Sequence, residues 1–453
     1  MHPLLGPVDW AREEAAALEL LRSLLRFDTT NPPGNEAECV AFLADHLRAA
    51  GLEPEILEPA AGRANLVARV RGDGSAGPLL LNGHVDVVAA EAGRWRHPPF
   101  GGEVHDGAVW GRGAVDMKGM VAMGAAVVGL LRRLEVPLRR DLVFAAVADE
   151  EAGCEAGSAW LVDHHPDKVR AEYALGEVGG ATVYVAGRPV YPVQVAEKGV
   201  AWLRATAHGA TGHGSVPRDD NAVVRLAEFL AKVGRRRLPL HASPEARRFV
   251  EALAAVRGRA GRAALPLLLS RRWSGLATDR LPGDRAAARV LAAVLRNTAS
   301  PTVLRAGHKT NVIPGQAEAE LDGRIAVGSS EAELLAELRA LAGRHVDLEL
   351  VAPSHPPTVS RPDAELFGVL AAVVEEHHPG AVAVPSVTPG FTDAKYWSRL
   401  GVTCYGFSPL RLEPGDGDFT GMFHGDDERV PVAGFGAGLR MLADGVARAC
   451  CPA

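Results

Sequence analysis

Cysteine is scarce in this chain, and so are long apolar runs and any surplus of positive charge. The 453 residues include five cysteines, an odd number, and none of them stand in a C-x-x-C spacing. This usage argues against a framework of disulfide bonds and against a zinc site built from thiolates. It suits a reducing compartment, so we expect a cytoplasmic protein.

Two further classes of protein are disfavoured by what the sequence lacks. No stretch approaches the ~20 apolar residues of a membrane span, and the N-terminal segment lacks a basic region followed by an apolar one. A formal net charge of -6 provides no basic footprint for nucleic acid. We therefore expect neither a membrane nor a nucleic acid as a partner.

Length and pattern predict two domains, one inserted into the other. A chain of 453 residues is too long for one compact core. After residue 198 the pattern changes to alternating apolar and polar residues, and the first pattern returns near residue 353. We predict a catalytic α/β domain of residues 1–198 and 353–453, with a mixed central sheet flanked by helices. Residues 199–352 are predicted to form an inserted α+β two-layer sandwich that acts as a lid or a dimerisation domain.

Within the inserted domain, one region gives a weaker pattern than its neighbours. The stretch from Arg235 to Arg285 is rich in arginine and is predicted to be less regular, solvated surface. A helix is predicted from Asp284 to Asn297.

An imidazole and a carboxylate stand near the end of a strongly apolar strand. The segment PLLLNGHVDVV places His84 and Asp86 two residues apart, which puts both on one face if the strand continues. One interpretation is a hydrogen-bonded pair that closes a sheet edge. The other is a metal-binding imidazole whose tautomer is fixed by the second carboxylate.

More acids follow at comparable places along the chain. Asp116 comes after the glycine-containing loop GRGAV and before a long apolar helix, and Glu177 follows another short apolar run. Three consecutive acids, ending in Glu150 and Glu151, come after the strand that begins near Asp141. Their mutual repulsion requires either an exposed turn or a nearby positive charge. Because several strands bring polar residues to one edge, the pattern favours a binding site.

Two histidines and four acids therefore make one candidate constellation: His84, Asp116, Glu150, Glu151, Glu177 and, from the late segment FHGDDERV, His424. These nitrogen and oxygen ligands suit zinc and, less exclusively, cobalt or manganese. A pair of ions can share one carboxylate, so that each receives one histidine, one terminal carboxylate and a share of Asp116. Glu150 is then free to act as a general base.

The motifs GHVDVV, GRGAVDMKGM, ADEEAG and LGEVGG, followed by the late histidine, resemble those of the zinc-dependent aminoacylase, glutamate carboxypeptidase and succinyl-diaminopimelate desuccinylase family of metallopeptidases. The resemblance covers nearly the whole chain. It implies that His84, Asp116 and Glu177 bind one zinc ion, and that His424, Asp116 and Glu151 bind the other.

The same resemblance assigns roles to residues that do not bind metal. Asp86 is expected to orient a ligand, and Glu150 is expected to be the general base. In the inserted domain, His213 of GATGHGSVP is expected to stabilise the oxyanion. Asn311 of HKTNVIPG and Arg324 of LDGRI are expected to bind the carboxylate of the substrate.

A glycine-containing loop, TPGFTDAKYW, resembles the substrate loop of this family through Gly390, Thr392 and Asp393. The bulky Phe391 departs from the small residue that many relatives have at this position. The departure leaves the width of the substrate pocket open.

The activity implied is hydrolysis of an amide bond adjacent to a free carboxylate, as in an N-acyl amino acid deacylase or a carboxypeptidase. The expected attack is by a zinc-bridging hydroxide, with Glu150 as the base. Two alternatives remain: a dipeptidase that requires a free substrate amine, and a family member that binds metal or ligand without catalysis. A homodimer formed through the inserted domain is expected by analogy with relatives.

Overall fold

The computed structural model describes residues 1–280, 285–361, 363–417 and 419–452. The chain divides into two compact units. The first contains residues 1–195, 360–386 and 392–453, and the second contains residues 196–359 and 387–391. Among the described residues, no helix is both long enough and apolar enough to cross a bilayer.

The N-terminal part of the first unit alternates between strands and helices. Its strands are β1 (Glu55–Ala60), β2 (Arg63–Val70), β3 (Leu79–His84), β4 (Glu103–His105), β5 (Ala108–Trp110), β6 (Leu142–Val147), β7 (Tyr173–Gly176), β8 (Val183–Val185) and β9 (Arg188–Glu197), whose last two residues belong to the second unit. Its helices are α1 (Trp10–Leu25), α2 (Ala37–Ala49), α3 (Lys118–Arg133), α4 (Ser158–His164) and α5 (Pro166–Val169).

The second unit follows. Its strands are β10 (Gly199–His208), β11 (Gly212–His213), β12 (Thr298–Ala306), β13 (Val312–Ile313), β14 (Gln316–Ile325), β15 (Val346–Leu350) and β16 (Thr358–Val359). Its helices are α6 (Ala222–Arg235), α7 (Pro244–Val256), α8 (Gly258–Leu268), α9 (Ser274–Asp279), α10 (Arg285–Val294) and α11 (Glu331–Ala342).

The rest of the chain completes the first unit, apart from residues 387–391. Its strands are β17 (Val382–Thr388), β18 (Thr403–Gly406) and β19 (Arg429–Pro431), and its helices are α12 (Glu365–His377), α13 (Ala394–Trp397) and α14 (Val432–Cys450).

The main sheet of the first unit is mixed. Its strand order is β1-β2-β6-β3-β7-β18-β9, and β8 and β17 also pair with β9. β6, β3, β7 and β18 run parallel to one another, whereas β1, β2 and β6 pair antiparallel. Every residue of β3 and β6 is buried, because helices cover both faces of the sheet. The predicted mixed sheet flanked by helices is confirmed.

The second unit has a four-stranded antiparallel sheet in the order β12-β14-β10-β15. β14 alternates buried and less buried residues along its length, as expected for a sheet with one face in a core. α6 and α11 pack their apolar faces against this sheet, and α11 begins with a capping box formed by Ser330 and Glu333. The predicted two-layer α+β arrangement is present.

The prediction of a less regular region from Arg235 to Arg285 was wrong in one respect. Three helices, α7, α8 and α9, lie between residues 244 and 279. Their apolar residues recur at helical spacing among the arginines, and the charge pattern concealed this periodicity. The helix predicted to begin at Asp284 is α10, although Asp284 itself lies outside the described residues.

Candidate functional site

Three neighbouring strands of the main sheet end at the same edge. β3 lies between β6 and β7 and runs parallel to both, and its last residue, His84, pairs with Val147 at the end of β6. Glu177 comes directly after β7, and Glu150 and Glu151 form a short 3-10 turn just beyond β6. The carboxyl ends of parallel strands therefore bring these acids to one place.

The first cluster joins one histidine to two acids. The Nε2 atom of His84 lies 3.1 Å from Asp116 Oδ1 and 3.6 Å from Glu177 Oε2. All three residues are buried. One ligand atom from each lies within 4.8 Å of the other two.

The second cluster uses the other oxygen of the same aspartate. His424 Nε2 lies 3.3 Å from Asp116 Oδ2 and 3.1 Å from Glu151 Oε2. The His424 side chain is 56% exposed, whereas that of Glu151 is 5% exposed, so this cluster opens to solvent on the histidine side. Asp116 thus presents one carboxylate oxygen to each imidazole.

The crowding of imidazoles and carboxylates shifts the pKa values of this site. Burial alone lowers the pKa of His84, but hydrogen bonds to three carboxylates outweigh it and raise this pKa well above its ordinary value. Hydrogen bonds to Asp116 and Glu151 raise the pKa of His424 to about 10. Burial raises the pKa of Glu177 to about 8. Protons therefore occupy positions that cations can take over.

The residues of both clusters fit a pair of divalent cations. Glu151 Oε1 and Glu177 Oε1 are buried, and neither has a hydrogen-bond partner among the residues that the structure describes. A buried carboxylate oxygen without a donor is costly unless a cation lies beside it. Imidazole nitrogens with carboxylate oxygens are the donor set that zinc, cobalt and manganese accept.

Asp86 contacts both His84 and the turn that follows β6. Its carbonyl oxygen lies 2.9 Å from His84 Nδ1, and its Oδ1 atom lies 3.5 Å from the same nitrogen. Its carboxylate accepts hydrogen bonds of 3.1 Å from the backbone N–H groups of Glu150 and Glu151. The backbone carbonyl orients the imidazole ring, while the side chain holds the turn.

Glu150 is buried and lies near other acids of the site. Burial, followed by the charge of Glu177, raises its pKa well above the ordinary value. A raised pKa makes this carboxylate a stronger base than an exposed glutamate, as removal of a proton from water requires.

Sequence reasoning missed the residues behind Asp86. The Asn31 amide donates 2.9 Å hydrogen bonds to Asp86 Oδ2 and Asp149 Oδ1, and Arg63 donates a 2.7 Å hydrogen bond to the same Asp149 oxygen. Asn31 belongs to the segment TTNPPGN, whose composition indicates a turn and gives no sign of this contact.

His213, predicted to stabilise the oxyanion, and Asn311, predicted to bind the substrate carboxylate, lie beside each other in the second unit. His213 on β11 pairs with Val312 on β13, and Asn311 directly precedes that strand. Both side chains are exposed. The His213 ring bonds through Nδ1 to the hydroxyl of Ser215 at 2.8 Å, which leaves Nε2 pointing away from this contact.

Arg324 and the glycine-containing loop were also predicted to contact substrate. In the second unit, Arg324 donates to the Asp322 carboxylate at 2.8 and 3.1 Å, and its guanidinium lies 5.0 Å from the Phe391 ring centroid. Its Nη1 atom is buried and has no partner among the described residues. Gly390 is partly buried in the same unit, while Thr392 is buried in the first.

Comparison with known proteins places this arrangement in context. A family model described as Peptidase family M20/M25/M40 matches residues 80–448. An N-fatty-acyl-amino acid synthase/hydrolase of Danio rerio is 28% identical over 82% of this chain and 72% of its own length. A succinyl-diaminopimelate desuccinylase of Methylorubrum extorquens is 30% identical over 84% of this chain and 87% of its own length.

A solved structure has the same fold. The crystal structure of an M20 family metallo-carboxypeptidase from Sulfolobus solfataricus aligns with a TM-score of 0.71. The alignment covers 95% of this chain and 98% of that chain, at 16% sequence identity. At this identity the similarity demonstrates a common fold.

Proposed function

The chain belongs to peptidase family M20/M25/M40, and we propose that it uses two divalent metal ions to hydrolyse an amide bond beside a free carboxylate. The observation that carries the proposal is the position of Asp116 between two imidazoles, one facing each of its carboxylate oxygens. A shared carboxylate is what a pair of ions requires.

We assign one ion to His84, Asp116 and Glu177 and the other to Asp116, Glu151 and His424. Zinc is the proposed metal, and cobalt or manganese also suits these ligands. When bound, the two ions supply Lewis-acid chemistry: they polarise a carbonyl and favour ionisation of water. The unpartnered oxygens of Glu151 and Glu177 support this assignment.

Glu150 is proposed as the group that moves the proton. It takes a proton from the attacking water and passes it to the amine as the carbon–nitrogen bond breaks. Its burial, its raised pKa and the two backbone hydrogen bonds that anchor its turn to Asp86 support this role. Asp86 is proposed to hold His84 in the tautomer that carries its proton on Nδ1, so that Nε2 is free to bind metal.

The proposed substrates are N-acyl amino acids, or peptides cut at the carboxyl end. The names of the two relatives refer to acylated amino acids, which supports this class. Arg324 and Asn311 are proposed to bind the substrate carboxylate, and His213 is proposed to donate to the oxyanion. Gly390 and Thr392 are proposed to line the binding site beside Phe391.

Three features of the protein remain predictions from the sequence. These are a cytoplasmic location, a role for the second unit as a lid, and a homodimer formed through that unit. Light scattering of the purified chain measures its mass and so decides whether it is a dimer.

A glutamine at the proposed base tests the mechanism. We expect metal-loaded Glu150→Gln to retain two ions per chain and to lose about 100-fold or more in kcat on an N-acyl amino acid. Glu155→Gln is the matched control, because this nearby acid is exposed. Near wild-type turnover by metal-loaded Glu150→Gln contradicts the assignment of the base.

A panel of substrates tests whether an amide bond is cleaved and whether a free carboxylate must lie beside it. We expect hydrolysis of N-acetyl, N-succinyl and long-chain N-acyl amino acids, and a loss of about 100-fold when the free carboxylate is capped as an amide. Preference for an unblocked dipeptide over its N-acetylated counterpart indicates the dipeptidase alternative. No hydrolysis of any member by metal-loaded protein contradicts the proposed function.

A further inference from the structure

A single buried glutamate organises the loop that carries Asp116. Glu428 accepts hydrogen bonds through Oε1 from the backbone N–H groups of Val115 (2.6 Å) and Asp116 (3.0 Å). Its Oε2 atom accepts from the backbone N–H of Gly113 at 3.0 Å. Its own carbonyl accepts from the N–H of Gly111 at 3.0 Å. The backbone from residue 111 to residue 116 is therefore fixed largely by one residue.

Arg112 donates hydrogen bonds both to Glu428 and to the loop that precedes it. Its Nη1 atom donates to Glu428 Oε2 at 2.7 Å, and its Nη2 atom donates to the carbonyl of Gly425 at 2.8 Å. The guanidinium also lies 5.2 Å from the Trp95 ring centroid. Arg112 and Glu428 are 2% and 0% exposed, so solvent does not screen this pair.

The two loops joined here each carry one proposed metal ligand. Asp116 lies on the loop of residues 111–116, and His424 lies beside Gly425 and four residues before Glu428. Glu428 is also anchored by the strand that follows it, because β19 pairs with β5 just before the first loop. The spacing between the Asp116 carboxylate and the His424 ring therefore depends on the contacts of Glu428 and Arg112.

We propose that Glu428, locked by Arg112, is a positioning residue that holds Asp116 at the bridging position between two metal ions. This inference rests on the proposed function and adds to it a pair of residues that bind neither metal nor substrate. A glutamine cannot replace the carboxylate. Both oxygens accept from N–H donors, so a side-chain NH₂ group faces a donor whichever way the amide is turned.

The test is metal binding by the full-length apoprotein, measured by titration with Co²⁺ and by the visible absorption of the bound ion. We expect Glu428→Gln to bind Co²⁺ about 10- to 100-fold more weakly than wild type, with an altered absorption spectrum. We expect kcat on an N-acyl amino acid to fall at saturating metal, while KM stays within about threefold.

Asp426→Asn is the matched control. This variant also removes one negative charge near His424, but Asp426 pairs with the exposed Arg94 at 2.7 Å on the surface. We expect it to bind Co²⁺ as wild type does. Circular dichroism of each apoprotein reports whether the variant has folded.

The variant Arg112→Lys tests the same positioning role if Glu428→Gln does not fold. The lysine keeps the buried charge but cannot reach Glu428 and Gly425 together through two fixed donors. We expect a smaller loss of Co²⁺ affinity with the same direction of spectral change.

The outcomes separate this inference from the proposed function. If wild type binds two ions and a folded Glu428→Gln or Arg112→Lys variant binds them with unchanged affinity and spectrum, the positioning role is wrong and the hydrolase proposal stands. If wild type binds fewer than two ions, both proposals are wrong.

Discussion

At the scale of single residues, the site gathers acids whose mutual repulsion must be balanced by protons or by metal cations. Asp116 keeps its negative charge, because hydrogen bonds from His424 and His84 outweigh burial and lower its pKa. For Glu177, burial outweighs the hydrogen bond with His84 and raises the pKa to about 8. The metal-free cluster balances its charge with protons, and metal ions must displace them.

Metal binding by the apoprotein should therefore depend on pH. His424, with a pKa raised to about 10, and Glu177, with a pKa raised to about 8, both carry protons at pH 7 in the metal-free protein. We expect affinity to increase between pH 6 and pH 8.5, and at least two protons to be released per chain at pH 7. Calorimetric titration with Zn²⁺ in buffers of different ionisation enthalpy measures this release.

The control for this prediction is the same titration at higher pH. Release should decline as the pH approaches 10, because the two groups then lose their protons before metal is added. An affinity that stays flat from pH 6 to pH 8.5 contradicts the prediction.

At the scale of elements, α14 shapes the site without contributing a predicted ligand. The backbone of Pro409 lies so close to Gly438 of this helix that an added Cβ atom would be 1.8 Å from the Pro409 carbonyl oxygen. The neighbouring Leu410 carbonyl accepts a 2.9 Å hydrogen bond from the N–H of Thr182, in the segment that follows Glu177. Glycine at position 438 thus lets α14 pack against residues 409 and 410, which are hydrogen-bonded to the segment after Glu177.

Two alanine substitutions in α14 should have different effects on stability. We expect Gly438→Ala to lower the free energy of unfolding by about 1–3 kcal/mol, because a backbone carbonyl must move. Gly445→Ala is the matched control, since its Cβ atom would lie 3.5 Å from Leu370 Cδ2, an ordinary contact. It should be neutral or stabilise by up to about 1 kcal/mol, as alanine favours helix.

Urea denaturation of the metal-free variants measures both changes. Equal effects at the two positions would show that the close approach to Pro409 is not what requires glycine at position 438.

At the scale of the whole molecule, the two units have separate apolar cores. The core of the second unit is formed by β10, β14, β15, α6 and α11, and its buried residues include Leu334 and Leu338. The cores of the first unit are formed by other residues. All five proposed metal ligands belong to the first unit.

Metal should therefore stabilise one unit and leave the other unchanged. We expect calorimetry of the apoprotein to show two unfolding transitions, of which saturating Zn²⁺ raises only one, because binding stabilises the unit that holds the ligands. Leu338→Ala identifies the other transition, since truncation of this buried side chain should cost about 2–5 kcal/mol in the second unit. A single transition that moves as a whole with metal contradicts this prediction.

Local signals in the sequence predict that His84, Glu150, Glu151 and Glu177 lie near one another, whereas His424 was proposed from the resemblance to the family. A strand of buried residues ends at His84, and acids follow the neighbouring strands, so parallel pairing alone predicts that they meet. The mixed sheet and the α+β unit could be predicted from the pattern of apolar residues, and the metallopeptidase family from the resemblance of its motifs. Helices α7, α8 and α9 could not, because arginine-rich composition concealed their apolar periodicity.

What the sequence by itself determined is which residue types can bind metal and which strand ends carry them. Tertiary structure alone decided how these groups are supported. Asp426, Asp427 and Glu428 are consecutive acids in sequence, yet only Glu428 is fully buried and reaches the backbone of Asp116, 312 residues away. The physical reason is that the periodicity and spacing of residues in the sequence reflect local backbone geometry. The burial of a side chain and the hydrogen-bond donors around it depend on which distant segments pack together.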